Sequence, residues 1–192
     1  MNNKRSMSTA SLVFLAIMTA LVVLLQVIGG GIKFGMFSIS LVLVPIVLGA
    51  SVGGPIAGAW LGFIFSIAVF LTGDAAAFLA VNVPGTIITV FAKGILAGLA
   101  SGLLFKLLSK ANKYVAVFTS AAICPIVNTG IFLIGCRLFF YETIAEWGAA
   151  LGFESAAAYM FFGLAGLNFL IELATNLILS PVILRLLKIK KA

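Results

Sequence analysis

The chain divides into six long apolar runs separated by short polar or glycine-rich breaks. The runs are continuous rather than alternating apolar and polar with a period of two, so each reads as a helix. The pattern predicts spans over about 7–29, 39–50, 56–71, 86–108, 114–136 and 157–187. Clustered glycine at Gly29-Gly30-Gly31 ends the first, and Gly54-Pro55 turns the chain between the second and third. The polar run Ser109-Lys110-Ala111-Asn112-Lys113 closes the fourth. Residues 72–85 read as a loop. Residues 137–155, with Tyr141, Glu142, Glu146, Trp147 and Glu154, read as an interfacial loop with a short helix along the membrane surface. The second run is short, and the sixth is long enough to tilt across a bilayer that needs about 20 apolar residues per helix.

Composition turns this pattern into a class. Of 192 residues, 63% are hydrophobic and only 9% charged, against roughly 25% charged in soluble domains. Mean hydropathy is +1.28. Charges so few do not cover a soluble surface. The expectation is an all-α integral membrane protein, with residues 1–192 forming one six-helix transmembrane domain and no separate soluble unit. A β-barrel is rejected, because its strands alternate over about ten residues. The run 10–28 is longer than a signal-peptide core and lacks an A-x-A site, so it is expected to remain as a helix.

The net charge of +7 does not point to nucleic acid, because the basic residues sit at the chain ends and in one loop. It sets orientation instead. Lys4, Arg5, Lys106, Lys110, Lys113, Arg185, Lys188, Lys190 and Lys191 fall at one end of a six-span bundle. Lys33, Arg137, Asp74, Glu142, Glu146 and Glu154 fall at the other. Positive charge favours the cytoplasmic side, so both termini are expected there.

The chain has no His, which excludes Ser-His and Cys-His catalysis and His-ligated metals. There is no Gly-x-x-x-x-Gly-Lys-Ser/Thr loop and no pair of intramembrane carboxylates. An enzyme, a metal or a cofactor is therefore not expected. Cys124 and Cys136, twelve residues apart on one predicted helix, stand about 18 Å from each other and read as packing residues.

Two ionisable residues remain inside spans: Lys93 in the fourth and Glu172 in the sixth. Each costs about 2.5–3.5 kcal/mol to insert, so it faces a cavity or a partner. Asn168, Glu172 and Asn176 recur every four residues and share one helix face, with Thr175 beside them. Asn128 lies midway along the fifth span, after Pro125, and Gln26 near the outer end of the first. One reading is a polar pocket in the outer half, lined by spans four to six. The other is a structural clasp in which Asn and Glu bond between helices. Lys93, Asn128, Asn168 and Glu172 together favour the pocket. Asn82 in the loop 72–85, Arg137 at the outer mouth, and Phe34, Phe37, Tyr141 and Trp147 as walls complete the candidate set. Trp147 and Tyr141 equally fit an interfacial aromatic belt, and Arg137 a helix-end anchor. Gly94-xxx-Gly98-xxx-Gly102 and Gly58-xxx-Gly62 read as internal packing motifs. Ala16-xxx-Ala20 in the bulky first span reads as a packing strip or as a docking face for another membrane protein.

On these residues the chain resembles the substrate-binding S components of energy-coupling factor vitamin transporters. The resemblance is carried by Ala16-Ile17-Met18-Thr19-Ala20, Leu43-Val44-Pro45-Ile46-Val47-Leu48-Gly49-Ala50, Lys93-Gly94-Ile95-Leu96-Ala97-Gly98, Cys124-Pro125-Ile126-Val127-Asn128-Thr129-Gly130 and Gly166-Leu167-Asn168-Phe169-Leu170-Ile171-Glu172-Leu173. It covers the whole chain and is greatest to the pantothenate-type branch, with a hydroxymethylpyrimidine or pyridoxine branch close by. The resemblance implies a multi-pass protein of the bacterial cell membrane that binds a vitamin in its outer half, under the loop 29–38. It implies partners as well: a transmembrane coupling protein, contacted through Ala16 and Ala20, and two ATPases, with transport by toppling in the membrane. A ligand-free channel or assembly protein is the competing class, and an intramembrane enzyme a remoter one.

Overall fold

The computed structural model describes residues 8–31, 33–34, 37–38 and 41–189, without side-chain detail at 30–40 and 188–189. Lys4, Arg5, Lys190 and Lys191 lie outside the described residues, as do the side chains of Lys33, Phe34, Phe37 and Lys188.

Nine helices follow in order among the described residues. Helix α1 is Thr9–Gly31, followed by a two-residue antiparallel ladder in which Lys33 pairs with Ser38 and Phe34 with Phe37. Next come α2 (Leu43–Gly53), α3 (Pro55–Leu71), the short α4 (Ala76–Val81), α5 (Val83–Leu108) and α6 (Lys113–Phe139). Helices α7 (Tyr141–Ala150), α8 (Ala156–Ala158) and α9 (Leu167–Ile189) complete the chain, with a π-helical segment, Tyr159–Gly166, joining the last two. Each predicted apolar run coincides with a helix among the described residues, although α2 begins at Leu43 rather than 39. Four stretches are long and apolar enough to cross a bilayer: Thr9–Gly29, Val83–Leu108, Lys113–Phe139 and Ala156–Leu187. Helices α2 and α3, of 11 and 17 residues, are shorter than the about 20 residues of a full crossing, so four of the six expected spans are long enough to make one.

Three other expectations are corrected. The loop 72–85 contains α4, and α5 begins three residues before position 86. Helix α6 runs on through Arg137 to Phe139, because the backbone there stays helical until Phe140 breaks it with φ −135°. The segment after it is largely the amphipathic helix α7. In the last span, Tyr159–Gly166 is π-helical rather than α-helical.

Start signals are local. Pro55 opens α3 after Gly54, whose φ of +85° suits only glycine at that turn. Asn112 caps α6 by accepting from the Tyr114 and Val115 amides at 2.8 and 3.2 Å.

Helices α3 and α5 run antiparallel with their backbones touching. A Cβ on Gly58 would overlap the Gly98 carbonyl, one on Gly62 the Gly94 carbonyl, and one on Gly102 would stand 2.6 Å from Pro55 Cα. Ser66 Oγ ties the pair by donating to the carbonyls of Val90 at 2.8 Å and Gly62 at 3.0 Å. Helices α5 and α6 are also antiparallel, meeting at Gly85 with Phe139 and at Thr89 with Gly135. Ser101 and Ser120 hold the pair nearer its other end, hydroxyl to hydroxyl at 2.7 Å. Helix α1 runs parallel to α3, with Thr19 bonded to Trp60 and Gln26 to Thr72. The short α2 threads through the middle, packed on α1, α3, α5, α6 and α9, and its Leu43, Ile46, Val47 and Ala50 are fully buried.

Large apolar side chains face outward: Phe162 is 77% exposed, Ile178 73% and Ile88 56%. Such a surface suits lipid, not water. These pairings put Asp74, Asn82 and α7 at one end of the bundle, and Lys106, Lys110, Lys113 and Arg185 at the other.

The glycine contact yields a direct test. Gly62→Ala overpacks the α3–α5 contact and is expected to cost about 1–3 kcal/mol, lowering the thermal midpoint in detergent. Gly130→Ala, whose added Cβ meets nothing within 4 Å, is expected to leave it unchanged or raise it, since alanine is the better helix former.

Candidate functional site

A cavity of about 350 Å³ lies in the half of the bundle that carries Asp74 and α4. That volume is at the small end of the ~300–1,000 Å³ typical of small-molecule sites. Helix α5 lines it with Thr86, Thr89, Val90 and Lys93, one face of successive turns. Helix α6 contributes Asn128, Thr129 and Phe132, and α9 contributes Asn168 and Glu172, below Leu164 and Ala165 of the π segment. Phe65 and Val69 of α3 form the opposite wall, and residues 73–78 cover the end nearest α4. Gln26 of α1 completes the lining.

The polar groups are positioned by a few bonds. Asn168 Nδ2 donates to Glu172 Oε1 at 3.2 Å, and Asn176 Nδ2 to the Glu172 carbonyl at 2.8 Å. Ser180 Oγ donates to the Asn176 carbonyl at 2.9 Å, so the polar stripe continues down α9. Gln26 Nε2 donates to Asp74 Oδ2 at 2.6 Å and to Thr72 Oγ1 at 3.2 Å, fastening α1 to the turn after α3. Lys93 Nζ lies over the Phe65 ring at 5.5 Å and the Phe132 ring at 5.4 Å. No ion pair joins it to Glu172 among the described residues.

Several buried oxygens lack a hydrogen-bond partner: Thr89 Oγ1, Asn128 Oδ1, Asn168 Oδ1 and Glu172 Oε2, all in lining residues, and Asn176 Oδ1 just below. Buried polar atoms are nearly always bonded, and leaving one bare costs about 1–3 kcal/mol. A cluster of bare acceptors around a cavity suits a guest that carries donors. Asn168 and Asn128 both act on the Glu172 carboxylate, as in a clasp, but the acceptors left bare go beyond what such a clasp satisfies.

Lys93, Asn128, Asn168 and Glu172 thus converge, as four candidates drawn from the sequence. Asn82, Arg137 and Trp147 do not line the cavity. Asn82 caps α5, its Oδ1 accepting from the Gly85 amide at 2.9 Å. Arg137 is exposed and lies over the Tyr141 ring at 4.0 Å. Trp147 packs edge-on against Phe78, whose ring also meets Phe132 and Phe140. Trp147 therefore supports the aromatic cover from behind. The side chain of Phe34 lies outside the described residues. Asp74, Thr86, Thr89, Thr129, Phe65, Phe78 and Phe132 join the site without having been singled out; Asp74 and Gln26, 48 positions apart, become neighbours only through the fold.

A second concavity lies on the outer surface of α1. It is an apolar groove lined by Leu12, Leu15, Ala16, Thr19, Ala20, Val23, Leu24, Val27 and Trp60. Ala16 and Ala20 are exposed and form its flat floor, while Trp60 closes one side through its bond to Thr19 Oγ1 at 3.2 Å.

The bare acceptors distinguish a site from a clasp by stability. In a clasp Lys93 is paired with Glu172, and removing it alone with Lys93→Met strands a buried carboxylate at a cost of about 3–5 kcal/mol. In a site the ammonium has no carboxylate partner to strand, and removing it relieves the desolvation of a buried charge. The Lys93→Met variant is therefore expected to melt at or above the temperature of the ligand-free parent in the same detergent.

No curated protein and no solved structure matches the chain. The family model for the substrate-specific component of ECF transporters matches residues 10–184, a range that includes every residue lining the cavity and both alanines of the groove. By that match the chain belongs to the ECF transporter substrate-specific components, membrane subunits of transport rather than enzymes.

Proposed function

We propose that this chain is the high-affinity vitamin receptor of an ECF importer and that its substrate is pantothenate. One observation carries the choice. Beside Lys93, whose ammonium touches ring faces and no carboxylate, stand three bare acceptors: Asn128 Oδ1, Asn168 Oδ1 and Glu172 Oε2. Pantothenate offers a carboxylate for the ammonium, and two hydroxyls and an amide N–H for the acceptors. The phenylalanines cover its methyl-bearing and methylene portions.

In this reading the protein crosses the membrane six times, α2 and α3 making short passages inside the ring of longer helices. The end bearing Lys106, Lys110, Lys113 and Arg185 faces the cytoplasm together with both termini, so the cavity opens outward. A transmembrane coupling protein docks in the α1 groove against Ala16 and Ala20, where small residues permit close helix approach. Two partner ATPases supply the energy, and the subunit topples to present its cavity inward. The whole chain acts as one domain in the cell membrane.

A second substrate reading rests on a different observation. Asp74 and Glu172 line the cavity against a single ammonium, which suits a neutral, donor-bearing ring such as hydroxymethylpyrimidine or pyridoxine stacked among Phe65, Phe78 and Phe132.

Calorimetric titration of the purified protein, without ATP, separates the two. Saturable one-to-one binding of pantothenate is expected, weakened at least a hundredfold by Lys93→Met. Binding of the pyrimidine instead, indifferent to Lys93→Met, would select the second reading. Binding of neither, by folded protein, would refute both. For docking, Ala16→Trp/Ala20→Trp is expected to abolish uptake in cells while leaving the affinity of the isolated subunit within about twofold. Full uptake by that variant would refute the docking role of the groove.

A further inference from the structure

A cation in an apolar interior is ordinarily held by a carboxylate. Lys93 is not. Glu172 Oε1 accepts from Asn168, and its Oε2 has no partner. The ammonium lies instead between two aromatic rings on different helices, 5.5 Å from the Phe65 centroid and 5.4 Å from that of Phe132. Both distances are within the roughly 6 Å at which a ring face attracts a cation. Phe65 is 3% exposed and fixed in the core of α3. Phe132 is set by its edge-on contact with Phe78, at 5.6 Å.

The chemistry of the two ways of holding a charge differs. A carboxylate would neutralise the ammonium and occupy its N–H donors, closing it to an outside anion. A ring face stabilises the charge through its quadrupole and takes up no conventional hydrogen-bond acceptor site. Lys93 therefore keeps its N–H donors available to the cavity. The charged groups that act on it from the surrounding elements are Glu172 on α9 and Asp74 on the α3–α4 turn.

We propose that Phe65 and Phe132 are specificity-determining positioning residues: they form an aromatic cradle that presents the Lys93 ammonium, unpaired, to the anionic group of the ligand. The proposal rests on the reading of the cavity as the pantothenate site. It assigns anion preference to two residues that carry no charge.

The test compares pantothenate with its alcohol analogue, in which a hydroxymethyl group replaces the carboxylate. Both are titrated into the wild type and into Phe132→Leu, Phe65→Leu and Phe132→Tyr. Each Leu variant is expected to lose at least tenfold more affinity for pantothenate than for the alcohol, because the loss of apolar contact with the ring is common to both ligands and only pantothenate also loses the positioned ammonium. Retained alcohol binding also shows that the variant is folded. Phe132→Tyr, which keeps the ring face, is expected to bind both ligands as the wild type does. Equal losses for the two ligands, or no loss for either, would overturn the cradle and leave the pantothenate site standing. A wild-type protein that binds hydroxymethylpyrimidine and not pantothenate would overturn the site reading and the cradle with it.

Discussion

The arrangement depends on two helices touching backbone to backbone. In a bilayer, burying apolar side chains between helices gains little over leaving them in lipid, so association relies on close packing and hydrogen bonds. Helices α3 and α5 meet through Gly58, Gly62, Gly94 and Gly98, with no side chain between them. That contact brings Phe65 and Ser66, one turn beyond Gly62, level with Val90 and Lys93. Ser66 then bonds to the Val90 carbonyl, and the Lys93 ammonium reaches the Phe65 ring. A wider spacing would take the ring out of range of the charge. The glycines are thus the reason that a lysine on one helix and a phenylalanine on another share a cavity wall.

The cavity is the price of that design in hydrogen bonds. Four lining residues carry bare buried oxygens, and a lysine lies over two ring faces with no carboxylate in direct contact among the described residues. Each bare buried acceptor carries an unmet desolvation cost of about 1–3 kcal/mol. A ligand that brings the missing donors and a counter-charge recovers this deficit on binding, which favours high affinity from a small guest. Below the cavity the polar groups are satisfied differently: Ser101 with Ser120, and Ser180 with the Asn176 carbonyl. The half of the bundle that carries Lys106 and Lys113 is a knitted base, and the half that carries Asp74 holds the cavity with its bare acceptors.

Much of the fold was legible because a bilayer allows few choices. A continuous apolar run must be helical, and a charge within it must face inward, which is why Lys93, Asn128, Asn168 and Glu172 could be grouped before their contacts were known. The misses have local causes. Helix α4, Ala-Ala-Phe-Leu-Ala-Val, is too short to display a period. The π segment is apolar all round, so its change of helical register leaves no mark on the hydropathy pattern. Asn82 is polar for the sake of a helix cap, and Arg137 and Trp147 for the sake of the rim. The bond between Gln26 and Asp74 spans 48 positions with no signal in either neighbourhood. Phenylalanines that hold a cation look, in sequence, like any others among 17.

The central claim is that the cavity faces outward and is where the ligand sits. Thr129 lines it from α6, half-buried, while Cys124 and Cys136 are free and fully buried. The most direct measurement is labelling of a Thr129→Cys variant in intact cells by a small membrane-impermeant thiol reagent, with the parent protein as background. The expected result is labelling from outside that falls in a saturable manner as pantothenate is added. Labelling that pantothenate does not alter, or that requires access from the cytoplasmic side, would contradict it.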